Sequence, residues 1–211
     1  MRYVQKKSTP SFFERDTRKL SYWIKYTPSK KRFLKEYILE NEQYYLCIYC
    51  ESKVNMDSSH IEHIEPKSLD IKSLTFDYAN LSVSCNGTCF NVSNGNSRHN
   101  CGHIKKNTYD KQRFLHPCEI IDLEEYFKYD FDDFKIYTTE KNSKKSEYMI
   151  KLLNLNSGRL IIARRNDYQY FNKQLKQIKD VEKRKKFIKN KIKVKTLQFI
   201  SFFRYKYKHL I

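Results

Sequence analysis

The stretch SSHIEHIEPKSLD, residues 58–70, places His60, Glu62, His63 and Glu65 within six positions of a chain that has six histidines in 211 residues. On a β-strand successive side chains point to opposite faces, so Glu62 and His63 can serve one site only where the backbone bends or ends. Pro66 is placed to end such a strand. The residue types are those that handle protons and cations at neutral pH. A neutral imidazole can take a proton from water, and a carboxylate beside it can ligate a hard divalent ion such as magnesium. With an ion to neutralise the developing charge, these are the parts that hydrolysis of a phosphodiester needs.

Outward from this stretch lie the cysteines. Cys47-Ile-Tyr-Cys50 is a knuckle whose two-residue gap lets both sulfurs face one point. A tetrahedral zinc ion then needs two more ligands, for which Cys85 and Cys101 are the choice, the residues between them forming an insertion within the second knuckle. Cys89 rivals Cys85 or Cys101, and Cys118 is the spare. A redox reading of the Cys-x-x-Cys has less support, because no strand-then-helix context accompanies it. Buried inert thiols are the plain alternative, but a loop-rich centre with few large aliphatics calls for a staple.

The remaining text flanks this centre. Residues 27–46 read as a helix with Thr27 as N-cap and Pro28 in its first turn, delivering the chain to Cys47. From 47 to about 110 short apolar pieces broken by Asn, Ser and Gly suit strands and loops, with 86–100 an irregular loop, and HIKKNTYDKQRFL could open a helix. Residues 118–140 alternate acidic and aromatic side chains, as in a small strand-containing cover. Beyond an N-cap at Asn156 or Ser157 the chain has no proline and reads as helical to about 205, with a Lys-rich face. The division is therefore an N-terminal helical segment (1–46), a zinc-stapled core (47–117), an acidic and aromatic cover (118–150) and a basic helical region (151–211).

Charge follows the same division. The formal net charge is +18; Lys plus Arg against Asp plus Glu is 11 to 5 over residues 1–46, 13 to 16 over 47–150, and 18 to 3 over 151–211. Basic ends suit a polyanion such as nucleic acid, and single basic runs are also what solvated helix faces look like. A composition with 39% hydrophobic and 15% aromatic residues supports a packed core. No apolar run approaches the roughly 18–20 residues that span a bilayer, and the first residues lack a secretory apolar region, so a cytosolic protein is expected.

The order Cys-x-x-Cys, Glu62-His-Ile-Glu-Pro66, Asn80-Leu81, Cys85, Cys101-Gly-His-Ile-Lys-Lys resembles the HNH endonucleases, and among them the retron and Septu type of anti-phage nuclease. MRY and TPSFF near the start, CIYCE, and Leu152-Leu-Asn-Leu-Asn156 ahead of an arginine-bearing helix extend the likeness over nearly the whole chain. The resemblance implies an α+β fold: a small zinc-stapled ββα-metal core flanked by N-terminal helices and a mainly helical, basic C-terminal region. It implies His63 as general base, Glu62 and His103 as ligands of a catalytic Mg2+ or Mn2+, and Asn80 as the residue that fixes the histidine. Asn107, one helical turn after His103, is the alternative ligand, and Lys105 or Lys106 is expected on phosphate. Many such enzymes carry Asp or His where Glu62 stands. His60 reads as a structural hydrogen-bonding residue, His99 as a loop histidine and His116 as packing beside Pro117.

Function is then expected to be endonucleolytic, on DNA before RNA, within bacterial defence. An ATPase subunit of the ABC or SMC-like kind is implied by the Septu likeness alone, since the sequence holds no GxxxxGK[ST] loop. Transfer-RNA cleavage by the same site and non-catalytic nucleic-acid binding by a zinc module are the alternatives.

Overall fold

The computed structural model of the protein describes residues 1–87 and 99–210. It combines helices with two small sheets. At its centre β1 (Ser59–His63) pairs antiparallel with β2 (Leu81–Cys85), with Ser59 opposite Cys85 and His63 opposite Leu81. Every residue of β2 is buried, whereas in β1 only Ser59 and Glu62 are buried and His60, Ile61 and His63 are half-buried.

Two helices precede the hairpin, α1 (Ser11–Thr17) and α2 (Pro28–Ile38). The Thr27 hydroxyl accepts from the Lys30 amide at 3.5 Å, and Leu34 and Ile38 turn into the core, each apolar side chain adding about 1.5–3 kcal/mol by burial. The helix expected to reach 46 ends sooner. Leu39–Gln43 form one widened π turn, after which Tyr44 and Tyr45 take positive φ. That turn aims two polar side chains inward. Glu42 accepts from Tyr78 Oη and Lys6 Nζ, each at 2.6 Å, and Gln43 bonds both the amide (2.7 Å) and carbonyl (2.8 Å) of Val83, clamping β2.

Between the strands lies α3 (Ile71–Leu74), capped by Asp70. After β2 comes α4 (Gly102–Lys105), a single turn that packs on the hairpin. It is shorter than HIKKNTYDKQRFL suggests because Lys106 turns left-handed, φ 50°, and ends it. The acidic and aromatic cover contains the second sheet, β3 (Phe127–Tyr129) against β4 (Ile136–Thr138).

Four helices complete the chain: α5 (Ser143–Leu152), α6 (Gly158–Lys176), α7 (Val181–Lys193) and α8 (Ile200–Lys206). Asn142 and Asp180 cap α5 and α7. Ser157 precedes α6 without a side-chain cap bond, and Asn156 instead bonds both backbone groups of Ile136 at 2.8 Å. Phe171, Phe187, Phe203 and Tyr207 pack ring to ring between α6, α7 and α8. The region is tied to the centre at Glu51, whose carboxylate accepts from the Ser201 hydroxyl and amide at 2.8 and 3.1 Å. Among the described residues no helix is long and apolar enough to cross a membrane.

Candidate functional site

Four sulfurs meet at the open end of the hairpin. Cys47, Cys50, Cys85 and Cys101 are buried, and their Sγ atoms all lie within 4.8 Å of one another. The Cys50–Cys85 separation is 3.8 Å. A tetrahedron with metal–sulfur distances of about 2.3 Å has edges of about 3.8 Å, so the spacing fits a four-thiolate site that could hold a metal ion. Electrostatics divide the four: burial and three neighbouring sulfurs push the Cys101 thiol well above its ordinary pKa, whereas at Cys50 burial is outweighed by the other sulfurs and Arg159, which hold it well below.

Donors surround the cage. The Cys85 amide points at Cys47 Sγ (3.3 Å), Asn100 Nδ2 at Cys101 Sγ (3.0 Å), and Arg159 Nη2 at Cys85 Sγ (3.6 Å). Arg159 also donates to Asn100 Oδ1 at 2.8 Å, so α6 braces the loop that carries Cys101. Gly87, at φ 64°, lets the chain ends meet: a Cβ there would overlap the carbonyl oxygen of Asn100. Cys118 lies apart, 3.8 Å from Ser82 Oγ, and Cys89 falls outside the described residues.

The same loop carries α4 onto the face of β1 that bears His60 and Glu62. Strand alternation puts these two side chains together and His63 on the opposite face. Glu62 is buried. Its Oε1 accepts from Tyr49 Oη (3.0 Å) and pairs with Lys105 Nζ (2.9 Å), while Oε2 lies 3.4 Å from His60 Nε2. Burial opposes ionisation of this carboxyl, but His60 and Lys105 outweigh it and hold it below its usual range. Gly102 makes room, since a Cβ there would overlap Glu62 Oε2 and lie 2.7 Å from His60 Nε2. His103 is exposed, its ring centre 4.8 Å from that of His60 and 5.7 Å from that of His99.

His63 closes β1 on the far face. Its Nε2 lies 3.1 Å from the Thr75 carbonyl oxygen, and Trp23 packs edge-on at 4.7 Å. A carbonyl only accepts, so Nε2 carries hydrogen and Nδ1 keeps the lone pair. Burial lowers the imidazole pKa to about 4, the Thr75 bond opposing, and the ring is neutral at pH 7. Asn80 does not touch this ring. It accepts from the Glu65 amide (2.7 Å) and donates to the carbonyls of Glu65 (2.9 Å) and Leu74 (3.1 Å), fixing the turn that follows His63.

Two expectations need correction. Lys105 is fully buried, its ammonium on Glu62 and on the carbonyls of His63 (3.2 Å) and Lys106 (3.3 Å), so it is not free for phosphate; Lys106 is the exposed member of the pair. Asn107 lies beyond the end of α4 and is not one helical turn from His103. Sequence alone gives His60 only a structural hydrogen-bonding role and gives Tyr49, Gly102 and Arg159 none. The two-residue spacing of His60 and Glu62 was the available signal for the first; the others carry none.

No family model matches the chain. A curated protein of Vibrio cholerae serotype O1 biovar El Tor, provisionally named the retron Vc95 HNH endonuclease, is 30% identical over 129 residues, 59% of this chain. Those residues span 58% of that relative, less than two thirds of its length. Over a little more than half its length, the chain is thus similar to a protein named for retron HNH nuclease chemistry.

Proposed function

We propose that the protein is a metal-dependent HNH endonuclease that hydrolyses phosphodiester bonds of nucleic acid, DNA in preference to RNA, as the effector of an anti-phage system of the retron or Septu type. The observation that carries this reading is a buried carboxylate, Glu62, beside a helix that presents His103, followed on the opposite face at the end of β1 by a neutral, tautomer-fixed imidazole, His63. Similarity to the Vibrio protein supports the same reading.

Glu62 and His103 are the proposed holders of a divalent ion, Mg2+ or Mn2+, which when bound supplies neutralisation of charge on the scissile phosphate and the leaving oxygen. His63 takes the proton of the attacking water at Nδ1, its Nε2–H held by Thr75. Asn80 keeps that arrangement by fixing the turn at Glu65. Lys106 and the exposed lysines of α7, Lys183, Lys185, Lys186 and Lys189, meet phosphates without reading sequence. Zinc fills the four-cysteine cage, and the helical C-terminal region docks an ATPase subunit.

The test is incubation of wild type and His63→Ala with plasmid DNA and a transfer-RNA pool in Mg2+ or Mn2+. Cleavage of DNA by wild type alone is expected. Cleavage that survives His63→Ala removes this site assignment, and cleavage of RNA with intact DNA makes the protein a ribonuclease. Absence of cutting by wild type even with its ATPase favours a binding module. Separate elution of the chain and that ATPase on size exclusion refutes the partnership.

A further inference from the structure

His60 is oriented as a ligand is. Asn86 donates through Nδ2 to the Asp57 carbonyl at 3.0 Å, so its Oδ1 is the atom that faces His60 Nδ1, 3.1 Å away. An amide oxygen only accepts, and Nδ1 therefore carries hydrogen. Nε2 is then the ring nitrogen that faces Glu62 Oε2, 3.4 Å away. The contact between these two atoms needs a proton or a cation, and a metal ion that displaces the proton finds a nitrogen and an oxygen already facing one another.

The rest of Glu62 points to the same place. Its Oε1 is already engaged by Tyr49 and Lys105, leaving Oε2 as the oxygen with capacity to spare. Gly102 keeps the approach to both atoms clear of side chain. His103, exposed on the first turn of α4 with its ring 4.8 Å from that of His60, can supply a further nitrogen.

We propose that His60, through Nε2, is a ligand of the divalent ion shared with Glu62 and His103, and that this nitrogen-rich donor set selects a transition-metal ion such as Mn2+ over Mg2+. The inference rests on the nuclease reading, because it adds a ligand to the ion assigned there. Imidazole suits transition metals, whereas Mg2+ demands near-octahedral oxygen and dehydrates reluctantly. Asn86 is a positioning residue in this scheme, since the hydrogen bond on the far nitrogen fixes the tautomer of a ligating histidine.

The experiment is calorimetric titration of the zinc-loaded, full-length protein with MnCl2 and with MgCl2, with electron spin-echo detection of 14N coupling to bound Mn2+. Mn2+ does not displace zinc from thiolates, so the cage does not contribute. Wild type is expected to bind one Mn2+ at least about tenfold tighter than Mg2+, with histidine nitrogen coupling. His60→Ala is expected to lose at least about tenfold in Mn2+ affinity and part of that coupling, and Asn86→Ala to lose affinity while keeping His60. Zinc content and the thermal transition of each variant establish that it is folded; should His60→Ala fail there, His60→Gln and Asn86→Ala decide.

Unchanged Mn2+ affinity and nitrogen coupling in folded His60 variants overturn the proposal. If those variants still cut plasmid while His63→Ala does not, the nuclease reading stands without it. A wild type that binds neither ion overturns this proposal and the metal-dependent reading together, whereas one in which Mg2+ binds as tightly as Mn2+ overturns only the selectivity claimed here.

Discussion

The cysteine cage and the Glu62 site share one hairpin and one turn of helix, yet they are finished to different degrees. In the cage all four sulfurs are buried, within 4.8 Å of one another, and met by an amide, an asparagine and an arginine. At Glu62 one oxygen is fully engaged, the other faces His60 Nε2 across 3.4 Å, and the neighbouring His103 is exposed. The closed set does the work of stability. The open set keeps donor capacity in reserve, and the closed one fixes its geometry, because Cys101 directly precedes Gly102 and His103.

The largest effect should come from breaking the closed half. Structural zinc contributes on the order of 10–16 kcal/mol in small domains, comparable with the whole stability of a typical domain at about 5–15 kcal/mol. Chelation, or Cys50→Ser, is therefore expected to abolish the cooperative thermal transition seen by circular dichroism, with metal loss verified by elemental analysis. An unchanged transition in metal-free protein would mean that the cage is not a staple.

Lys105→Met should come second. Removing one member of a buried ion pair costs about 3–5 kcal/mol because the other charge is left uncompensated. The double variant Lys105→Met, Glu62→Gln is expected to recover much of that loss in urea unfolding. Equal losses in single and double variants would show that the pair with Glu62 is not what holds Lys105 in place. Gly102→Ala follows, at about 1–3 kcal/mol, since overpacking here drives the Glu62 carboxylate from its seat. Its loss of Mn2+ affinity should exceed its loss of stability; the reverse order would make Gly102 a packing residue only.

These effects also sort what the sequence makes legible. The helix start at Thr27-Pro28 is a local matter of capping, and the Cys47–Cys50 knuckle announces itself by residue type and spacing, whereas the choice of Cys85 and Cys101 over Cys89 and Cys118 is settled only in three dimensions. Glu62, His63, Asn80 and His103 can be named from motif order, but their contacts cannot. Burial of Lys105 depends on α4 lying on β1, which no periodicity in a four-residue helix encodes. The bracing of Asn100 by Arg159 joins positions 59 residues apart and depends on how α6 docks. Termination of α4 rests on a lysine at positive φ, a conformation that sequence assigns to glycine or asparagine first. His60 was readable from strand alternation once β1 is accepted, because its partner is two residues away.

The smallest effect, and the one that sharpens the contrast most, belongs to Lys106. It neighbours Lys105 in sequence, but its side chain is exposed and its backbone is what is engaged, the carbonyl by the Lys105 ammonium and the amide by the Gly102 carbonyl. Lys106→Gln removes the charge and leaves the backbone bonds in place, so stability should change by no more than about 0.5 kcal/mol. If the side chain meets a phosphate, affinity for duplex DNA should weaken alike for every sequence, and the slope of log affinity against log salt should fall by about one. Binding isotherms at several salt concentrations measure this directly. A slope unchanged from wild type removes Lys106 from the interface, while a large stability loss would mean that the division between a buried structural lysine and an exposed binding one has been drawn at the wrong residue.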